Sequence, residues 1–267
     1  MKPFQVHIIG SGSAVPSTHR AATSQVLHYN GHYSMIDCAE GTQMQLKKNK
    51  ISLSRINRFL ISHLHGDHYF GLIGLINTLH LYGKTQPITI YGPAALYDIL
   101  QMQLKASDTT LKFPLIFKPL LPNGKHLLFD DEQMRCYSFP VRHRIAAWGF
   151  LFEEKPVAGS YARSYAFCTD TAFSPEMAGY FKDVSVLYHE ATFMDHLRSV
   201  AEATFHSTSV QAAQMAMLSG AGRLLIGHFS SRYSELDQML DEARVVFSQT
   251  ELALDGMVVT SNHKTTN

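Results

Sequence analysis

Six short apolar runs in this sequence stop at a histidine, an aspartate or a glutamate, and that recurrence constrains the fold more than any other feature. The runs end at Asp37, His63, His143, Asp170, Glu190 and His228. One polar residue after a strand is ordinary. Six, all of types that bind metals or move protons, imply strands whose ends share one rim of a layered sheet, with one site along that rim. The local signals agree. Residues 5–10, 24–29, 32–37, 58–61, 87–92, 135–140, 149–153, 165–169, 184–188, 224–227 and 257–260 read as strands. Asn30-Gly31 between two of them is a type I′ hairpin signal. Residues 42–48, 69–81, 94–105, 209–218 and 234–247 read as helices, with Thr208 and Gln211 spaced as a capping box. No repeat, low-complexity segment or linker interrupts the chain, so one domain over 1–267 is expected, with a frayed polar tail at 261–267.

The densest rim segment is SHLHGDH at 62–68, where His63, His65, Asp67 and His68 fall within six residues. A strand end that breaks into a short loop aims alternate side chains into one pocket, and Gly66 relieves the backbone there. Imidazoles and a carboxylate are the ligand set for Zn²⁺ and its first-row neighbours. The plainer alternative is a polar loop that happens to be rich in histidine. The order H-x-H-x-D-H is specific enough to favour a metal centre.

Composition removes several other functions. Twenty-three basic against 22 acidic residues leave a formal charge of +1. Any nucleic-acid binding must therefore rest on a local patch rather than a general field. The small-residue loop at 10–17 lies between strands and has neither G-x-G-x-x-G nor a Walker lysine, which argues against a phosphate cradle. Cys38, Cys136 and Cys168 are odd in number, far apart and outside any CxxC. They read as buried reduced thiols of a cytosolic protein. Residues 1–20 lack the basic start and apolar core of a signal peptide, and no run approaches 18 apolar residues. A cytoplasmic location away from membranes is expected.

The order HLHGDH, then His143, Asp170 and His228, resembles the metallo-β-lactamase superfamily across nearly the whole chain. In more detail it is similar to tRNase Z, the endonuclease that removes 3′ trailers from precursor tRNA. The residues that carry this are GSGSAVPS at 10–17, IDCAEGTQ at 36–43, SHLHGDHYFGL at 62–72 and HRIAAWGF at 143–150. They continue with CTDT at 168–171, HEATF at 189–193, HST at 206–208 and HFSSRY at 228–233. The resemblance implies an α/β fold, the four-layer αβ/βα sandwich, with two Zn²⁺ per subunit. His63, His65 and His143 would hold one zinc, Asp67, His68 and His228 the other, and Asp170 would bridge. Asp67 would orient and deprotonate the attacking water, and His206, held by Glu190, would protonate the leaving 3′-oxygen. A helix-capping role is the alternative for Glu190 and His206. Arg144 and Arg232 are candidate phosphate contacts, with plain surface charge as the alternative for each. The resemblance also implies a homodimer acting on precursor tRNA or another phosphodiester.

One departure stands out. Family members carry, between the equivalents of Glu154 and Tyr165, an inserted arm that grips the tRNA body, and here only 155–164 fill the interval. Either the chain is naturally poor in arm or the arm has been removed from it. Three other functions remain: a metallo-phosphodiesterase for small or cyclic diesters, hydrolysis of a thioester or lactam, and a non-catalytic nucleic-acid-binding or scaffold protein with a degenerate site. HEAT, HST and HFSSRY have no obvious task in the second. Seven filled ligand positions speak against the third.

Overall fold

Alternating apolar residues make the first forty positions an antiparallel meander, β1 (Phe4–Gly10), β2 (Ser24–Tyr29) and β3 (His32–Cys38). The computed structural model describes residues 4–15, 17–155 and 162–260, and the 261–267 tail lies outside them. Asn30 and Gly31 both have positive φ, as the hairpin signal required. The chain divides into two compact units, Met1–Leu120 with Asp255–Val259, and Leu121–Leu254 with Thr260.

In the first unit β3 is followed by α1 (Thr42–Lys48), β4 (Ile56–Leu60), α2 (Gly66–Tyr69), α3 (Leu72–Leu81), β5 (Ile88–Gly92), α4 (Ala95–Ala106) and β6 (Leu115–Pro119). From β3 to β6 the strands pair in parallel, so their C-terminal ends lie on one rim. The periodic run 69–81 is not one helix. It breaks at Gly71, which must be glycine because a Cβ there would stand 2.0 Å from the Ala39 carbonyl oxygen. Its N–H bonds the Cys38 carbonyl at 2.9 Å. This backbone approach ties the segment after the histidine loop to the end of β3. The core joins sheet residues such as Val26, Met35 and Phe59 to Leu75, Ile76 and Leu79 of α3.

The second unit holds β7 (His126–Asp130), β8 (Met134–Pro140), β9 (Trp148–Glu154), β10 (Ser164–Cys168), β11 (Val186–Glu190), α5 (Arg198–Thr204), α6 (Ser209–Ser219), β12 (Leu224–Gly227), α7 (Asp237–Val246) and β13 (Thr250–Leu252). Strands β7 to β10 pair antiparallel, and β10 to β13 parallel. β8 therefore runs in the same direction as β10, β11 and β12, and all four end on one rim. Helix α6 starts with the expected capping box, Thr208 and Gln211 bonding each other's backbone N–H. The final strand β14 (Val258–Thr260) closes the first sheet, whose order is β14-β1-β2-β3-β4-β5-β6. The second sheet runs β13-β12-β11-β10-β9-β8-β7.

Candidate metal centre

On the first unit the rim carries His63, His65, Asp67 and His68, in the loop after β4 and the first turn of α2. Asp37 lies beneath them, fully buried at a positive φ of 55°. Its carboxylate accepts the Ser62 N–H at 2.7 Å, the Ser62 hydroxyl at 2.8 Å and the His68 Nδ1–H at 2.7 Å. The Ser62 hydroxyl thus donates to Asp37 and accepts from His63 Nδ1, 3.0 Å away. These partners assign the proton of each ring to Nδ1, so His63 and His68 present Nε2 lone pairs.

His63 Nε2 and His65 Nδ1 are 3.0 Å apart. Two ring nitrogens at that spacing repel unless a proton or a cation lies between them. Zinc–nitrogen bonds of about 2.0–2.1 Å in a tetrahedron put ligand atoms roughly 3.3 Å apart, so this donor pair fits a metal ion. Asp67 Oδ2 lies 3.5 Å from His68 Nε2 and accepts the Ala14 N–H at 2.7 Å. The Ala14 amide, in the loop after β1, therefore orients a candidate ligand.

On the second unit His143, Asp170, Glu190 and His228 stand at or just beyond the ends of β8, β10, β11 and β12, and His206 precedes α6. Asp170 and His228 both have positive φ, 47° and 58°. Left-handed backbone at non-glycine residues is costly and persists where the surroundings enforce it, commonly at functional sites. Here it turns each side chain off its strand and onto the rim. The two oxygens of Asp170 face different imidazoles, Oδ1 toward His228 Nε2 at 3.1 Å and Oδ2 toward His143 Nε2 at 3.8 Å.

The same tautomer recurs. His143 Nδ1–H donates to the Phe205 carbonyl at 3.1 Å, and His228 Nδ1–H to the Thr192 hydroxyl at 3.0 Å. Burial lowers the proton affinity of His143 despite Asp170 and the Phe205 carbonyl, which favours the neutral ring that can ligate. Ligand atoms of Asp170, His206 and His228 lie within 4.8 Å of one another, so this corner could also hold an ion.

Glu190 is fully buried and held by the Thr171 N–H at 2.7 Å and the Thr192 hydroxyl at 2.5 Å. Burial would raise its pKa, but His206, bonded through Nδ1 at 2.8 Å, and His228 bring it below the usual carboxylate value. Thr208 and Gln211 already cap α6, so the Glu190–His206 pair is not its cap. Burial pushes the thiols of Cys38 and Cys168 up, keeping both protonated and poor as ligands, and all three cysteines are free and buried. Arg144 is exposed on a cleft of about 270 Å³ beside His143, lined also by Val141, Ile145 and Trp148. Arg232 bonds the Ser230 hydroxyl and lies 4.9 Å from the centre of the Phe193 ring.

Sequence reasoning placed Asp37 on the rim without finding what it supports, and it missed Thr192 and the Ala14 amide. Asp37 and Thr192 sat inside the IDCAEGTQ and HEATF strings, but their partners lie 25 to 36 residues away. Asp37→Asn should weaken metal binding by about 10–100-fold, because His68 loses its anionic partner. Competition with a chelating dye would measure this, and unchanged affinity would remove Asp37 from the centre.

The two sheets and the histidine–aspartate clusters define a metallo-β-lactamase-fold hydrolase. Human tRNase Z, short form, superposes with a TM-score of 0.85 at 34% identity, covering 97% of this chain and 99% of that one. The metallo-β-lactamase fold protein YhfI of Bacillus subtilis superposes at 0.80 with 21% identity, covering 97% of this chain and all of its own. A protein named Ribonuclease Z from Bacteroides thetaiotaomicron is 37% identical, covering 99% of this chain and 98% of its own. Another from Cytophaga hutchinsonii is 39% identical over 95% of each chain. The family model described as "Anti-Pycsar protein Apyc1" matches residues 4–218. The chain belongs to the ribonuclease Z family and, through residues 4–218, to the family of that model.

Proposed function

We propose that this protein is a zinc-dependent endoribonuclease that removes the 3′ trailer from precursor tRNA and leaves a 3′-hydroxyl on the tRNA. The observation that carries the reading is 37% identity over 99% of the chain to a protein named Ribonuclease Z. In this reading 1–267 is one metallo-β-lactamase-like domain. Its two clusters serve one centre for two zinc ions: His63, His65 and His143 for one, Asp67, His68 and His228 for the other, and Asp170 between them. The two differently aimed oxygens of Asp170 support the bridging role. Five neutral imidazoles and two carboxylates balance about half the charge of two Zn²⁺, and an anionic substrate suits the remainder.

A metal pair supplies water activation at neutral pH and charge stabilisation for an in-line phosphodiester displacement. The protein's own groups do the rest. Asp67, held through Oδ2 by the Ala14 amide, accepts the proton of the attacking water. Glu190 stabilises the doubly protonated ring of His206, whose Nε2–H passes to the leaving 3′-oxygen. Arg144, on the cleft beside His143, faces the substrate's phosphates. A homodimer in the cytoplasm completes the reading, and no helix among the described residues is long and apolar enough to cross a membrane.

The arm is reduced to about 155–164. Residues 156–161 lie outside those described, but their flanks are joined. Arg163 makes a two-pronged ion pair with Glu154, both bonds 2.8 Å, and Ser164 pairs with Glu153 across β9 and β10. The alignment with the Bacteroides thetaiotaomicron relative runs over 308 residues, 41 more than this chain has. A shortened arm would account for that excess and would suit, as a second reading, an enzyme for small or cyclic phosphodiesters.

Zinc-loaded protein given precursor tRNA with a labelled trailer separates the two. Specific cleavage to a 3′-hydroxyl is expected, with tRNA binding falling steeply between low and physiological salt, because few exposed phosphate contacts replace the arm. No tRNA cleavage alongside rapid turnover of bis-p-nitrophenyl phosphate would establish the second reading instead.

A further inference from the structure

A cavity of about 490 Å³ opens in the first unit, away from the histidine loop. Tyr33 enters it from the start of β3, whose other end carries Asp37, and Arg55 stands just before β4, whose other end leads to His63. Five residues of β4 put roughly 17 Å between the two places. The floor is Gln5, His7, His28 and Tyr33, all half-buried, while Lys50 and Arg55 stand exposed on the rim. None of the nine lining residues is a carboxylate.

The floor is aromatic and fixed. The rings of His28 and Tyr33 stack with centroids 4.2 Å apart and planes 10° off parallel, and His7 is tilted against His28 at 6.4 Å. His28 Nε2 accepts the Gly31 N–H, which puts the ring's proton on Nδ1, facing Gln5 Oε1 at 3.4 Å. The Gln5 amide nitrogen remains a donor. His7 Nε2 is shielded from solvent and makes no hydrogen bond among the described residues. Burial lowers both histidines, helped at His28 by Arg55 and at His7 by His28. At neutral pH the rings are therefore uncharged, and the charge of the cavity is that of Lys50 and Arg55. Neither of these two makes an ion pair among the described residues.

A cationic rim over a neutral aromatic and amide floor, without a carboxylate, selects an anion with a flat body. Inorganic phosphate would fill only a small part of the volume. We propose that this cavity is a binding site for a 5′-mononucleotide, with Arg55 and Lys50 holding the phosphate and His7, His28, Tyr33 and Gln5 receiving the base. The site is separate from the metal centre and stands whether or not the precursor-tRNA reading holds.

The test follows the histidine Cε1–H resonances of the zinc-loaded protein during titration with adenosine 5′-monophosphate, adenosine or inorganic phosphate. His7→Asn and His28→Asn assign the signals. Saturable movement of the His7 and His28 signals by the nucleotide is expected, with adenosine and phosphate each weaker by roughly tenfold or more. The double variant Lys50→Gln, Arg55→Gln should weaken nucleotide binding at least about tenfold while hydrolysis of bis-p-nitrophenyl phosphate stays unchanged. Both substitutions are at exposed positions, so the fold should tolerate them. Signals unmoved at about 10 mM nucleotide, or moved equally in the double variant, would overturn the site. Phosphate binding as tightly as the nucleotide would overturn the assignment of the base.

Discussion

Asp67→Ala should abolish both precursor-tRNA cleavage and bis-p-nitrophenyl phosphate hydrolysis, by about 10³-fold or more, because it removes a metal ligand and the proton acceptor together. The same carboxylate anchors the Ala14 amide at 2.7 Å, so alanine also releases the 10–17 loop. Asp67→Asn separates these effects. An amide oxygen can still accept the Ala14 N–H, but it is a weak ligand and a negligible base. Asparagine should therefore lose nearly as much activity as alanine with the loop in place. Activity within about tenfold of wild type in Asp67→Asn would show that the carboxylate only holds the loop.

His206→Ala should slow precursor-tRNA cleavage by about 10²–10⁴-fold, the usual worth of a general acid, and leave bis-p-nitrophenyl phosphate hydrolysis within about tenfold of wild type. The difference arises because a ribose 3′-oxygen needs a proton to leave and p-nitrophenolate does not. The structure also offers a rival role, since His206, Asp170 and His228 could ligate an ion together. The metal count of the variant decides between them. Full metal content with the two substrates affected unequally supports the acid. Loss of metal, or an equal fall in both reactions with metal retained, contradicts it.

The rim residues were legible because the strands that carry them are short and mostly apolar and each terminating residue is chemically conspicuous. β2, β12 and α1 have the expected bounds, and the Thr208–Gln211 box marks the start of α6. What escaped was set by distant contacts. The 69–81 periodicity runs unbroken through Gly71, whose constraint is the Ala39 carbonyl in the loop after β3. β11 lies two residues later than its apolar run, because His189 and Glu190 are buried in the ladder and pair with Ile226 and Gly227. Polar residues there look like a loop until their partners are known. α5 is seven residues long and buries only Ala201, too little to make an apolar stripe. Asp37 reads as a strand-end carboxylate. Its hold on Ser62 and His68 exists only after β3 and β4 pair. No local pattern announces the left-handed backbone of Asp170 and His228.

The central claim, a dinuclear zinc centre built from seven side chains, is tested most directly by counting metal. Protein purified without chelators, then exchanged free of loose ions, should carry close to two divalent ions per chain by elemental analysis, mostly zinc. Less than one ion per chain, even after reconstitution with Zn²⁺, would contradict the dinuclear centre and the mechanism drawn from it.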